Sequence, residues 1–265
     1  MSSVAITDPN LRFAASEFFD AAAFAARALS SPAALAAVID HTLLKPETSR
    51  SQIVRLCHEA AEYRFACVMV NPAWIACAVD TLAGTGIPVG AVIGFPLGAS
   101  LAASKRDEAA RALKLGAREI DMVLNIGLLK SATKQDYDAM KQEIRAVVEL
   151  AHASGAIVKV LLETCLLTFE EKLRACELAL AAGADFLKTS TGFSSGGATV
   201  DDITLMRSVA GPNAGVKASG GIRSLADARA MLLAGATRIG ASASLKILAD
   251  LHPHATPPAS NANGH

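Results

Sequence analysis

One short phrase occurs three times in this chain: Leu115-Gly-Ala-Arg-Glu-Ile120, Ala182-Gly-Ala-Asp-Phe-Leu187 and Ala234-Gly-Ala-Thr-Arg-Ile239. Each copy puts a glycine where a helix must stop and a β-rich run begins, because glycine tolerates the left-handed conformation in which many helices end. A repeated junction implies a repeated βα unit. Eight β-rich runs can be marked along the chain, at Val38–Ile39, Phe65–Val70, Val89–Ile93, Glu119–Leu124, Ile157–Leu162, Phe186–Thr189, Val216–Ala218 and Arg238–Ile239. Between them lie apolar residues at helical spacing, such as Ile53, Leu56, Cys57 and Ala60. Thr168-Phe-Glu-Glu171 and Thr199-Val-Asp-Asp202 have capping-box form. Eight such units predict an α/β fold, the (β/α)8 or TIM barrel. The rival, a doubly wound open sheet, would carry its phosphate loop after the first strand. Ile39-Asp-His-Thr-Leu-Leu44 has no glycine, and the glycines gather after the sixth, seventh and eighth runs instead.

Composition narrows the classes of function. The 265 residues are 52% hydrophobic and 19% charged, which supplies a large core and excludes disorder as the main state. Lys and Arg (25) balance Asp and Glu (25), which argues against nucleic-acid or anionic-membrane partners. No apolar run approaches the roughly 18 to 20 residues that a membrane span needs. Five widely spaced cysteines without a Cys-x-x-Cys pair read as reduced thiols, so a cytoplasmic protein is expected, with neither a disulfide frame nor a zinc knuckle. The domain plan is a helical extension over 1–30, the barrel over 31–250 and a disordered tail over 251–265, with a packed helix from Leu11 to Leu29. A homodimer is expected from the frequency of two-fold assemblies.

Barrel enzymes keep their working residues at the C-terminal ends of the strands. Asp121, Lys188 and Lys217 are charged residues inside or at the ends of apolar β runs. Lysine is seldom buried without a partner. Ammonium groups on adjacent strands would approach to roughly 6 Å and repel, lowering the pKa of one of them and making a neutral amine available. Such an amine adds to a carbonyl to give an imine, an electron sink for breaking or forming a carbon–carbon bond. A buried aspartate such as Asp121 suits the accompanying proton transfers. The loops Thr189–Gly197, Ser219–Arg223 and Gly240–Ser244 are rich in Gly and Ser, as barrel phosphate sites are.

The segments Ile39-Asp-His-Thr-Leu-Leu-Lys-Pro-Glu47, Val92-Ile-Gly-Phe-Pro-Leu-Gly98, Glu119-Ile-Asp-Met-Val-Leu-Asn125, Phe186-Leu-Lys-Thr-Ser-Thr-Gly-Phe193 and Gly215-Val-Lys-Ala-Ser-Gly-Gly-Ile-Arg223 resemble deoxyribose-phosphate aldolases, from about Ile39 to Leu248. The resemblance implies a class I aldolase without metal or other cofactor. Its small-molecule substrates would be 2-deoxy-D-ribose 5-phosphate, split reversibly into D-glyceraldehyde 3-phosphate and acetaldehyde. It implies that Lys188 forms the imine, that Lys217 depresses its pKa and that Asp121 is the acid/base group. It also implies that Asp40 and Thr42 line the substrate pocket, and that Thr191, Gly192, Gly220, Gly221 and Ser242 bind substrate, mostly through its phosphate. Two positions depart from the family pattern: Phe193 stands where some members have a basic residue, and Met69 where many have Cys. Another phosphosugar class I aldolase or transaldolase remains an alternative, as does a non-catalytic sugar-phosphate-binding barrel.

Overall fold

The computed structural model describes residues 18–251. The proposed tail from His252 onward and the N-terminal extension through residue 17, with the first part of the helix expected over Leu11–Leu29, lie outside them. Eight strands, β1 (Ile39–Leu43), β2 (Cys67–Val70), β3 (Val89–Ile93), β4 (Glu119–Val123), β5 (Ile157–Leu161), β6 (Phe186–Lys188), β7 (Gly215–Ser219) and β8 (Arg238–Ala241), pair in parallel and in chain order. β8 returns to β1 with Ile39 opposite Ile239, so the sheet closes into the barrel expected from the spacing of the runs. Two helices, α1 (Ala21–Ala28) and α2 (Pro32–Ala36), precede it. Around it run α3 (Arg50–Tyr63), α4 (Ile75–Thr81), α5 (Ala102–Lys114), α6 (Ile126–Ser131), α7 (Lys134–Ala153), α8 (Phe169–Ala181), α9 (Val200–Ala210), α10 (Leu225–Leu233) and α11 (Ser244–Ala249). No helix among the described residues is long and apolar enough to cross a membrane.

The thrice-repeated phrase is one structural device. Gly116, Gly183 and Gly235 have φ of 106°, 97° and 112°. The next residue's N–H reaches back to the last turn of the helix in each copy: Ala117 to Ala112, Ala184 to Ala179 and Ala236 to Met231, at 3.0, 3.1 and 3.0 Å. This Schellman closure satisfies carbonyls that the helix end would orphan, and it turns the chain into the strand. Of the two capping boxes, Thr168 and Glu171 form the full reciprocal pair. Thr199 caps α9 through the Asp202 N–H, but the Asp202 carboxylate is drawn to Lys172 at 2.6 Å and does not return to the cap.

The apolar core lies between the outer faces of the strands and the helices, with Ile39, Val68, Val70, Ile120, Met122, Val158, Val160, Leu187 and Ile239 fully buried. α1 packs on the outside against α10, and just before α1 the Phe19 ring centroid lies 4.2 Å from the Arg207 guanidinium of α9. The barrel interior is different. Branched aliphatic residues usually fill such interiors, but here Asp40, Glu119, Asp121, Lys159, Lys188, Lys217 and Arg238 converge in one ion-pair network.

Candidate active site

Strand register brings the charged residues together. Lys188 ends β6 directly opposite Lys217 of β7, and Asp121 of β4 lies opposite Lys159 of β5. The Lys188 ammonium donates to Asp121 Oδ2 at 2.8 Å, and Lys217 donates to the same oxygen at 2.7 Å. Two nitrogens held by one oxygen at these distances lie no more than about 5.5 Å apart, within the roughly 6 Å expected of ammonium groups on adjacent strands. Lys217 also lies 2.5 Å from Asp40 Oδ2, and Arg238 pairs with Asp40 Oδ1 at 2.7 Å. Lys159 donates to Asp121 Oδ1 at 3.0 Å and bonds Glu119.

The electrostatics follow from burial and from charge count. Burial alone would raise the carboxyl pKa of Asp121, but Lys159, Lys188 and Lys217 overcome it and hold that carboxyl well below the usual range. Burial likewise opposes ionisation of Asp40, and Lys217, Lys159 and Arg238 bring it to about 2. Lys159 is desolvated too, yet Asp121, Glu119 and Asp40 around it keep its pKa well above normal. Lys188 goes the other way, down to about 8. Its burial is the largest cause, attraction to Asp121 opposes it, and repulsion from Lys217 follows. The repulsion predicted from sequence is therefore present but secondary to desolvation. At a pKa near 8, roughly one Lys188 side chain in ten is neutral at pH 7, against about one in three thousand at 10.5. The network holds three carboxylates and four cations, so a neutral Lys188 leaves three of each.

Above this network opens a cavity of about 350 Å3. Lys188 and Lys217 reach its floor, and Thr42, Thr191, Gly192, Gly220, Gly221 and Ser242 are in its wall. Lys45 and Arg223 also line it, two cations that sequence reasoning did not assign there. Gly192, Gly220 and Gly221 have φ of 82°, 85° and 80°, where a side chain would be strained. Among the described residues, the N–H groups of Gly192, Gly220, Gly221 and Ser242 donate to no protein acceptor. Asp40 does not line the cavity, where the resemblance puts it. It is wholly buried, two residues below Thr42 on the same inward face of β1, and its carboxylate is held in the ion network. Phe193 is 49% exposed at the rim and meets Phe95 edge to face at 5.2 Å. Met69 is fully buried against Leu44, Cys67, Val92 and Phe95, away from the wall. His41 faces outward, stacked on Phe65 and 2.8 Å from Glu59.

Sequence reasoning missed Lys159, Glu119 and Arg238. Lys159 carries the same signal as Lys188, a charge inside an apolar run, Ile157-Val-Lys-Val-Leu161. Asp40, Cys67 and Glu119 bring ligand-type atoms within 4.8 Å of one another. Their chemistry suits a cation poorly, because Lys159, Lys217 and Arg238 already neutralise both carboxylates. Burial, with Glu119 and Asp40 nearby, also pushes the Cys67 thiol pKa well up, so it is no thiolate.

A parallel barrel with a desolvated, partly neutral lysine on the floor of a glycine-lined mouth defines an enzyme of the aldolase class, a lyase. The chain belongs to the DeoC/LacD family of aldolases, whose model matches residues 34–250. It is 54% identical over 214 residues to a deoxyribose-phosphate aldolase of Geobacillus sp. (strain WCH70), covering 81% of this chain and 94% of the relative. A deoxyribose-phosphate aldolase of Streptococcus sanguinis (strain SK36) is 57% identical over 210 residues, 79% of this chain and 93% of its own length. Among solved structures, the tetrameric deoxyribose phosphate aldolase of Aeropyrum pernix superposes with a TM-score of 0.79 at 36% identity, covering 86% of this chain and 95% of that one.

Proposed function

We propose that Lys188 is the nucleophile with which this aldolase reversibly cleaves 2-deoxy-D-ribose 5-phosphate. The neutral amine adds to the C1 aldehyde of the open-chain sugar, and loss of water from the carbinolamine gives an iminium. The C3 hydroxyl then gives up its proton, the C2–C3 bond breaks, and D-glyceraldehyde 3-phosphate departs. The electron pair of that bond is held as the enamine of acetaldehyde. Protonation at C2 and addition of water release acetaldehyde and restore the amine. The observation that carries this reading is the position of Lys188: 3% exposed, with a pKa near 8, and at the end of its strand on the cavity floor.

The neighbours take roles in the same proposal. Lys217 keeps a cation beside Lys188, and Asp121 orients both amines and serves as the acid/base partner. Thr42 and the loop residues Gly192, Gly220, Gly221 and Ser242 hold the substrate, with the unpaired N–H groups facing a phosphate as backbone donors do in other barrels, and Thr191 shapes the wall beside them. The enzyme works in the cytoplasm without metal or organic cofactor, as a homodimer. Its barrel, 31–250, is flanked by an extension over 1–30 and a tail over 251–265. The packing of α1 on the outer face of α10 supports the view that the extension is an appendage to the barrel.

Reductive trapping tests the central role. With acetaldehyde and borohydride, mass spectrometry should find a two-carbon adduct on Lys188. An adduct on Lys217 or Lys159, or none, would sink the assignment. Light scattering checks the dimer, and a monomer or tetramer would overturn that part.

A further inference from the structure

Glu163 takes no part in the chemistry above, yet its geometry is unusual. It follows β5 with φ 56° and ψ 61°, a left-handed conformation that few residues other than glycine adopt. Its side chain is 3% exposed and, among the described residues, forms no ion pair with Lys, Arg or His. A buried carboxylate without a cation must be satisfied by other donors. Thr191, 28 residues away in the loop after β6, supplies them. The Thr191 hydroxyl donates to Oε2 at 2.5 Å, and the Thr191 N–H donates to Oε1 at 3.2 Å.

Those bonds fix what Thr191 can do. A threonine hydroxyl has one hydrogen, and Glu163 takes it. The Thr191 oxygen in turn accepts the Phe193 N–H at 3.0 Å, which closes a turn around Gly192 in the cavity wall. Further along, the same loop abuts the next one: Ala198 donates to the Gly220 carbonyl at 3.0 Å, and a Cβ added to Gly197 would lie 2.3 Å from that oxygen. Order imposed on Thr191 is therefore shared with Gly220. Unfavourable backbone held in place beside a binding loop is an observation that points toward function.

We infer that Glu163 is a positioning residue: it clasps the Thr191 turn so that Gly192 and Gly220 present their backbone donors to the substrate's phosphate, and it leaves Thr191 no hydroxyl donor for the sugar. The inference rests on the functional reading above. Its test compares kcat/KM for 2-deoxyribose 5-phosphate and for unphosphorylated 2-deoxyribose in the full chain, as wild type, Glu163→Ala and Thr191→Val. The ratio of the two values should fall at least tenfold in each variant, mainly through KM for the phosphorylated sugar. The Kd for inorganic phosphate should rise by a similar factor, and Glu163→Gln, which keeps one acceptor, should recover part of both. Equal losses on the two sugars, or unchanged phosphate affinity, would mean that Glu163 only supports the fold. If Glu163→Ala does not fold, Thr191→Val carries the same comparison. Absence of wild-type turnover on the phosphorylated sugar would overturn the functional reading instead, and the inorganic phosphate titration would still decide the role of Glu163.

Discussion

Lys188 and Lys217, directly opposite in register on β6 and β7, donate to one and the same carboxylate oxygen, Oδ2 of Asp121. One neighbour favours the charged form of Lys188 and the other disfavours it, so removing each should move its titration in opposite directions. Lys217→Leu removes a repelling cation and should shift the rising limb of the pH–rate profile above about 8. Asp121→Asn removes the attraction and should shift that limb lower while turnover falls by two orders of magnitude or more. Shifts of the same sign in the two variants would refute this arrangement of charges.

Lys188 should cost the fold stability. Its folded-state pKa of about 8 lies below the ordinary 10.5, so between those values the unfolded chain binds more protons and stability rises with pH. The penalty is present in full below pH 8, on the order of 3 kcal/mol, and fades as pH approaches 10.5. Lys188→Met should therefore be inactive, gain no adduct on borohydride trapping and be more stable at pH 7 by about 1–3 kcal/mol. Denaturant melts at pH 7 and pH 10 check this: the advantage of the variant should shrink at the higher pH.

Lys159 is placed to hold Asp121 by its other oxygen, Oδ1, and to neutralise Glu119. Truncating it to Met leaves two carboxylates short of a partner in the closed barrel. Loss of one member of a buried ion pair is costly, so a destabilisation of about 3 kcal/mol or more is expected. Acetaldehyde should still be trapped on Lys188 in the fraction that folds, because the proposed nucleophile and the oxygen it bonds remain. A variant as stable as wild type would show that Lys159 is not needed to hold the carboxylates.

Much of this architecture could be read from sequence, and the exceptions have a common physical cause. Seven of the eight runs match their strands within about two residues, because apolar β-branched residues mark the faces that meet helices. The apolar pattern marks β1 only at Val38–Ile39, whereas the strand runs from Ile39 through Asp40, His41 and Thr42 to Leu43. Asp40 bonds across a charged interior and His41 stacks on Phe65, contacts that a pattern of hydrophobicity cannot register. Lys159 shows the same charge inside an apolar run as Lys188, but no glycine-rich loop follows its strand, so the sequence does not set it apart as a site residue. The adjacent lysine runs predict the lowered pKa of Lys188, but its leading cause is desolvation, a property of the closed barrel and not of any spacing. The clasp between Glu163 and Thr191 joins two loops and leaves no local motif.

The two adjacent glycines after β7 should not be equivalent. Both have positive φ, so alanine at either carries a conformational penalty of about 1–2 kcal/mol. Around Gly221 a Cβ would meet nothing within 4 Å, and strain alone should act. At Gly220 the added carbon would also lie 3.1 Å from Gly197 Cα and 3.2 Å from Ser190 Cβ, where the loops after β6 and β7 touch. Gly221→Ala should thus raise KM for the phosphorylated sugar several-fold and lower the melting temperature by only a few degrees, the effect of strain alone. Gly220→Ala should raise KM further and lower the melting temperature more than Gly221→Ala does, since pushing the two loops apart disturbs both the unpaired N–H groups and the packing beneath them. Steady-state kinetics with thermal melts on the two variants decides the matter. Equal effects would mean that the contact between the loops adds nothing to phosphate recognition beyond the backbone conformation of each glycine.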